Sequence, residues 1–298
     1  MSLIKLVRPF LVLIGRMINY LFPGFLPRWI YKRLSFDGKF KFSLLDENVY
    51  LLNTRHEICT DIFYSGIFGN YEGYSLEIWY ELNKLNTGTV LDIGAFNGIY
   101  SLVAAVANKD SEIYSFEPHP RNYDLLKDTI NLNRFQNIYI NDYGLSTETK
   151  SVTFFNEIGN NPSGFSSVNH RYIDKESTTL DCKVKNIREV LEKDFSQKPI
   201  SLIKLDIERA ELDLLTKSID LFSEKKTSIL CEILDIDDYE KFDNLFSNFE
   251  FDKYVIDDNK KRLKKVKNLK DLKEQLGRNV IFIHPSAKLP EKIKEAAL

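Results

Sequence analysis

Thr89-Val90-Leu91-Asp92-Ile93-Gly94-Ala95-Phe96-Asn97-Gly98-Ile99-Tyr100 decides how the rest of the chain is read. Val90, Leu91 and Ile93 make a short buried strand, and Ile99-Tyr100-Ser101-Leu102 begins a helix. A strand running through a glycine-bearing turn into a helix brings ligands up to backbone N–H groups. Gly94 and Gly98 permit the backbone angles and close approach of such a turn, and Ala95 and Asn97 complete it. Asp92, at the carboxyl end of the strand, is expected to face the crevice as an acceptor for a ligand amine.

The next strand, Glu112-Ile113-Tyr114-Ser115-Phe116-Glu117-Pro118, closes on an acid. An acid there, about 20 residues past the turn, can accept from both hydroxyls of an adenosine ribose. The spacing Gly94-x-x-x-Gly98 is not the dinucleotide fingerprint, so an adenosine ligand without a diphosphate fits better. S-adenosylmethionine is therefore expected, with Asp92 near its amino acid end and Glu117 on its ribose. A nicotinamide-dependent oxidoreductase is the rival that the missing fingerprint disfavours.

Outward from this stretch, strands and helices alternate. Asn137–Ile140 is a third strand, followed by Asp142, which could take an adenine amine. Ile200–Asp206 is a fourth strand, with Glu208 and Glu211 just beyond, and Ser228–Ile233 is a fifth, ending near Glu232. Positions 238–251 read as a helix and strand pair, and Asn279–Ile283 as the last strand. Ahead of the turn, Asn48–Leu52 reads as a strand and Ser75–Leu82 as a helix. The loop Phe68–Tyr74, with Tyr71 and Glu72, could lie over the cofactor, and the loop 160–167 has the length of a lid. The run 259–270, with six lysines, one arginine and no acid, reads as a solvated basic hairpin.

The 298 residues are 43% hydrophobic and 28% charged, an ordinary globular composition, and the net charge of −2 gives no case for nucleic-acid binding. Three isolated cysteines suit a reducing compartment. Met1 to Leu34 differs from the rest: six bases, no acid and many large apolar side chains. It has no uncharged run long enough to span a bilayer and no cleavage-site pattern, so no secretory signal is expected. A basic amphipathic helix suits an anionic membrane surface; packing on the domain or a partner is the alternative. The divisions expected are 1–35 (basic segment), 36–86 (lead-in or cap), 87–285 (catalytic domain) and 286–298 (tail). The expected location is cytoplasmic, peripheral on the inner membrane face.

Val90–Ala95, Phe116-Glu117-Pro118-His119-Pro120, Ile203-Lys204-Leu205-Asp206-Ile207-Glu208-Arg209-Ala210-Glu211 and Asn279–Phe282, in this order, resemble the FkbM family of S-adenosylmethionine-dependent methyltransferases. The resemblance runs from about Tyr71 to Pro285. It implies a class I methyltransferase, Rossmann-like α/β fold, with a mostly parallel seven-stranded sheet, helices on both faces and an N-terminal helical extension here. It also implies O-methylation of a hydroxyl on a glycan, a sugar-containing lipid or a related metabolite. One departure stands out: the family usually has Gly where this chain has Arg209. That change and the basic N-terminus make a catalytically inactive assembly protein the second alternative.

Asp206, at a strand's carboxyl end, is the expected base or orienter, with Glu208, Glu232 and His170 as catalytic neighbours. Oxygen ligands such as Asp206 and Glu208 could take a divalent metal. None is expected, because spacing fixes no histidine or third acid beside them.

Overall fold

The computed structural model describes residues 3–22, 25–44, 47–69, 72–157, 166–167 and 177–295. Two helices, α1 (Leu3–Leu21) and α2 (Arg28–Arg33), precede a hairpin of β1 (Asp37–Leu44) and β2 (Glu47–Thr54). Next come α3 (Glu57–Ser65), α4 (Gly73–Leu85), β3 (Thr89–Ile93), α5 (Ile99–Ala107), β4 (Glu112–Phe116), α6 (Pro120–Asn133) and β5 (Ile138–Asn141). A small second sheet holds β6 (Gly144–Ser146), β7 (Lys150–Glu157), β8 (Ser166–Ser167) and β9 (Ser177–Asn186). The chain then runs through α7 (Ile187–Asp194), β10 (Ile200–Leu205), α8 (Glu211–Thr216), α9 (Ile219–Glu224), β11 (Ser228–Glu232) and α10 (Tyr239–Phe246). It finishes with β12 (Asp252–Asp257), β13 (Arg262–Val266), β14 (Asn279–Ile283) and α11 (Glu291–Glu295).

The main sheet is ordered β13-β12-β14-β11-β10-β3-β4-β5. Strands β5, β4, β3, β10 and β11 pair in parallel, while β14 runs antiparallel to both β11 and β12. Strands β3, β11 and β14 are buried at every position, the continuous apolar pattern expected where helices cover both faces. Alternate residues feed two cores. Val90, Leu202 and Leu230 face one with α4 and α5; Leu91, Ile93, Ile203 and Cys231 face the other with α7 and α10. The tail is tied in as well: Ile293 is fully buried, and Asn86 and Lys288 exchange hydrogen bonds of 2.9 and 2.8 Å.

The sheet has eight strands rather than seven. The extra one is β13, the far arm of the expected basic hairpin, paired antiparallel with β12. Its turn is fixed by Asp257, which accepts from Lys260 N–H and from Arg262 Nε, each at 3.1 Å. Lysines on an open edge strand discourage pairing with other chains. The helix within 238–251 is α10, but its strand begins at Asp252. Phe251 instead packs edge-on against Phe246, at 5.2 Å between ring centres. The expected strand 48–52 lies within β2, and the helix 75–82 within α4.

Candidate active site

At the carboxyl end of β3 the sheet order turns back: β4 lies on one side and β10 on the other. This is the switch point where open α/β sheets take their ligands. Gly94 and Ala95 both donate to Phe116 O, at 3.0 and 3.1 Å, and Gly98 opens α5 with φ +82°. Gly94 has φ +83°, and a Cβ built on it would lie 1.7 Å from Asp206 O. The turn therefore rests directly on the backbone that follows β10. Phe96, also left-handed at φ +47°, donates its N–H to Glu117 Oε2 at 2.9 Å.

The expected cofactor residues do not all face a crevice. Asp92 lies two residues past Val90, so it shares Val90's face under α5 and is fully buried. Its Oδ2 accepts from Ser101 Oγ at 2.5 Å, whereas its Oδ1 has no hydrogen-bond partner. Asn97 is also buried: its Oδ1 accepts from Ile99 N–H at 3.2 Å and its Nδ2 donates to Cys59 Sγ at 3.2 Å. It caps α5 from within and directs its amide at the core instead of a ligand. Glu117 stands where expected, but its two oxygens each hold a backbone N–H of the turn region, from Phe96 and from His119, both at 2.9 Å. Asp142 is exposed, just past β5. Glu72 Oε2 accepts from Tyr100 O–H at 3.0 Å. Tyr71 and His170 lie outside the described residues, as does most of the loop 160–167.

Lys204 organises the carboxyl cluster at the end of β10. It lies beside Asp92 in the register of β10 and β3, is buried, and donates to Asp206 Oδ2 at 2.7 Å. Its ammonium also lies over the Tyr100 ring, 4.7 Å from the centre. Burial alone would lower its pKa, but Asp206, Asp92 and Glu72 together outweigh that and raise it. Sequence reading passed over Lys204 as a site residue. The signal was present: a lysine between Leu202-Ile203 and Leu205, in a buried strand and two positions before an acid, needs that acid as its partner.

Around this cation the carboxyls hold protons unusually well. Glu232 is pushed well above the carboxylate range by burial, Asp206 and Glu72, and it is hydrogen-bonded to Asp206. Glu72 is pushed up to about 7 by burial. Glu208 reaches about 8, through burial and then Asp206 and Glu211. Glu211 is a clamp for the loop: Oε1 accepts from Ile207 N–H at 2.7 Å and from Arg209 N–H at 3.3 Å. It bridges left-handed backbone at Glu208 (φ +55°) and Arg209 (φ +80°). That conformation accounts for the glycine usual at position 209, since only glycine adopts it without strain. Arg209 makes an ion pair with Asp235. Among the described residues, no three His, Cys, Asp or Glu side chains are grouped to hold a metal ion.

The raised carboxyls set the sign of the pH dependence. Glu117 and Glu211 are buried and sit near 7, against 4.5 for an ordinary glutamate, chiefly through burial. An acid whose folded pKa is raised contributes stability that is fully present below the unfolded value and is lost as pH rises through the folded one. Stability should therefore fall between about pH 4.5 and 7, by about 1 kcal/mol or more per pH unit. Urea unfolding from pH 5 to 8 measures this, and a flat profile would contradict the burial of these groups.

Taken in order, β5-β4-β3-β10-β11-β14-β12, with β14 alone reversed among the seven, is the class I methyltransferase arrangement of the Rossmann-like fold. A protein-family model described as the Methyltransferase FkbM domain matches residues 92–260, which include both the glycine turn and the Lys204–Asp206 cluster. The chain belongs to the FkbM methyltransferase family. Solved structures with a similar fold include an FkbM methyltransferase from Methylobacillus flagellatus KT, with 14% identity and a TM-score of 0.43. The alignment covers 66% of this chain and spans 43% of the Methylobacillus one. TYW2 of M. jannaschii, solved with AdoMet, is 11% identical with a TM-score of 0.43, covering 83% of this chain and 86% of its own. A SAM-dependent O-methyltransferase from Thermotoga maritima is 11% identical with a TM-score of 0.38, covering 70% and 63% respectively. No curated protein matches the sequence.

Proposed function

We propose that the chain binds S-adenosylmethionine at the Gly94–Gly98 turn and methylates a hydroxyl of a glycan, a sugar-containing lipid or a related metabolite. The observation that carries this reading is the contact between that turn and Asp206, which brings the carboxyls ending β10 and β11 beside it. The residues fit the cofactor. Glu117 holds the turn it would share with a ribose and Asp142 is open past β5, while Asp92, buried under α5, supports the turn from beneath through Ser101. When bound, the cofactor supplies an electrophilic methyl group on a sulfonium.

The chain's own contribution is alignment and proton handling. Lys204 fixes one oxygen of Asp206, so the carboxylate is held in one orientation as base or orienter for the acceptor hydroxyl. Glu232, whose carboxyl is pushed well above the carboxylate range by burial, Asp206 and Glu72, is hydrogen-bonded to Asp206 at the end of the neighbouring strand. Glu208, partly exposed and near 8, is a second proton holder at the rim.

Calorimetric titration tests the cofactor half: S-adenosylmethionine should bind in the micromolar range and NAD should not bind. Asp92→Ala, which releases Ser101 of α5, and Glu117→Ala, which frees the Phe96 and His119 N–H groups of the turn, should each weaken it by about one to two decades by loosening the turn. Unchanged affinity in both would remove the cofactor assignment. For the chemistry, Asp206→Asn should keep the fold and most cofactor affinity but slow methyl transfer about a hundredfold or more, measured with labelled donor and a panel of glycans and lipid-linked sugars. Full turnover in that variant would take Asp206 out of the mechanism, and no turnover by the native chain on any acceptor would favour the inactive alternative.

A further inference from the structure

A helix on the surface of a soluble domain turns its apolar stripe toward the core. Helix α1 does the reverse. Its docked face is formed by Val12, Gly15, Arg16 and Asn19. Asn19 Nδ2 donates to Tyr64 O at 2.8 Å, and Arg16 donates to Lys41 O at 2.9 Å while lying 4.3 Å over the Phe63 ring. The face pointing away carries Phe10, Leu13, Ile14, Met17 and Tyr20, the last 82% exposed. Phe22, Phe25 and Trp29 continue this surface, each more than 60% exposed. Unpartnered apolar patches of this extent mark interaction surfaces.

We propose that this face lies flat on an anionic lipid bilayer. Two observations choose the occupant. Met1 to Leu34 carries six bases and no acid in a chain whose net charge is −2, so the segment that bears the apolar face is also the one whose charge suits anionic headgroups. A second copy of this chain on the same face would bring two such basic segments together with no acid to offset them. The exposed set also includes Tyr20 and Trp29, whose amphipathic rings favour the headgroup level. No described helix is long and apolar enough to cross a membrane, and Arg16 in mid-helix is held by the domain. The geometry is that of a helix lying in the interface.

The protein carries its own reporter. Of its two tryptophans, Trp79 is fully buried in the core and Trp29 is 63% exposed, so a change in emission on adding lipid reports Trp29. Vesicles of phosphatidylglycerol with phosphatidylcholine should shift the emission to the blue and carry the full chain into the pellet. Vesicles of phosphatidylcholine alone should do so far more weakly. Each engaged base strengthens binding about fivefold, so screening three of them by raising salt from about 0.1 M to about 1 M should weaken it about a hundredfold. The combined variant Phe10→Ser, Leu13→Ser, Met17→Ser alters only exposed positions, so it should keep the native circular dichroism and urea midpoint and lose the vesicles. Unshifted emission and a chain left in the supernatant at low salt would overturn the proposal. So would equal binding to neutral vesicles, or a lipid-free dimer whose Trp29 emission is already blue.

Discussion

Gly94→Ala should not yield a stable folded chain. The added Cβ, whose position the Gly94 backbone fixes, would sit 1.7 Å from Asp206 O, itself a backbone atom. Neither can move as a side chain would, because Asp206 N–H is itself bonded to Ile93 O at 3.0 Å and Gly94 N–H to Phe116 O. Relief requires parting β3 from β10 at the centre of the sheet. The left-handed φ of +83° adds about 1–2 kcal/mol for any residue with a Cβ. A total above about 4–5 kcal/mol is expected, a large part of a domain's whole stability. Gly98→Ala is the control. It has nearly the same φ, but its Cβ would crowd Leu126 Cδ1, at 2.6 Å, the far end of a flexible side chain, with Ile130 Cδ1 at an ordinary 3.5 Å. Its loss should be about 1–3 kcal/mol. Urea unfolding of both variants measures the difference, and a Gly94→Ala chain as stable as Gly98→Ala would mean that the turn does not rest on β10.

Lys204→Met should cost about 3–5 kcal/mol at pH 8, because it leaves buried carboxyls without their cation. Methionine fills a similar volume, so the loss reports charge more than packing. Asp92, Asp206 and Glu72 all lie within the field of Lys204, and Glu232 is hydrogen-bonded to Asp206. Without the ammonium, Asp92, Glu72 and Glu232, already raised by burial, would hold protons still more tightly in the folded chain than in the unfolded one. A raised acid destabilises progressively as pH climbs past its unfolded value, so the penalty should shrink toward pH 5 and grow toward pH 8. Paired urea melts of the native chain and the variant at the two pH values would show this. An equal loss at both would assign Lys204 to packing alone.

How far the sequence reached depends on how local each feature is. The strand, turn and helix of residues 89–107 were legible because burial of β3 on both faces leaves an unbroken apolar run, and a left-handed turn calls for glycine within five residues. The same holds for β4 ending at Glu117, for β10 ending before Asp206 and for the basic hairpin, where each signal sits in neighbouring positions. The order of these stretches was enough to indicate the family. Which atoms remain open to a ligand was not legible. Asp92 and Asn97 belong to the glycine motif, yet the pleat turns one under α5 and the helix start spends the other on Ile99 N–H and Cys59. Glu117 reads as a ribose acceptor, but only the folded chain shows each of its oxygens on a backbone N–H.

Tertiary structure alone decided the electrostatics and the orientation of α1. Glu72, Asp92, Lys204 and Glu232 lie on four different elements or their ends, far apart in sequence. Their protonation depends on mutual distance and lost water, which no spacing encodes. Periodicity marked α1 as amphipathic, but the same pattern describes a helix facing inward or outward. Packing settled it: Asn19 on Tyr64 and Arg16 on Lys41 anchor the polar side to the domain and leave the apolar side uncovered.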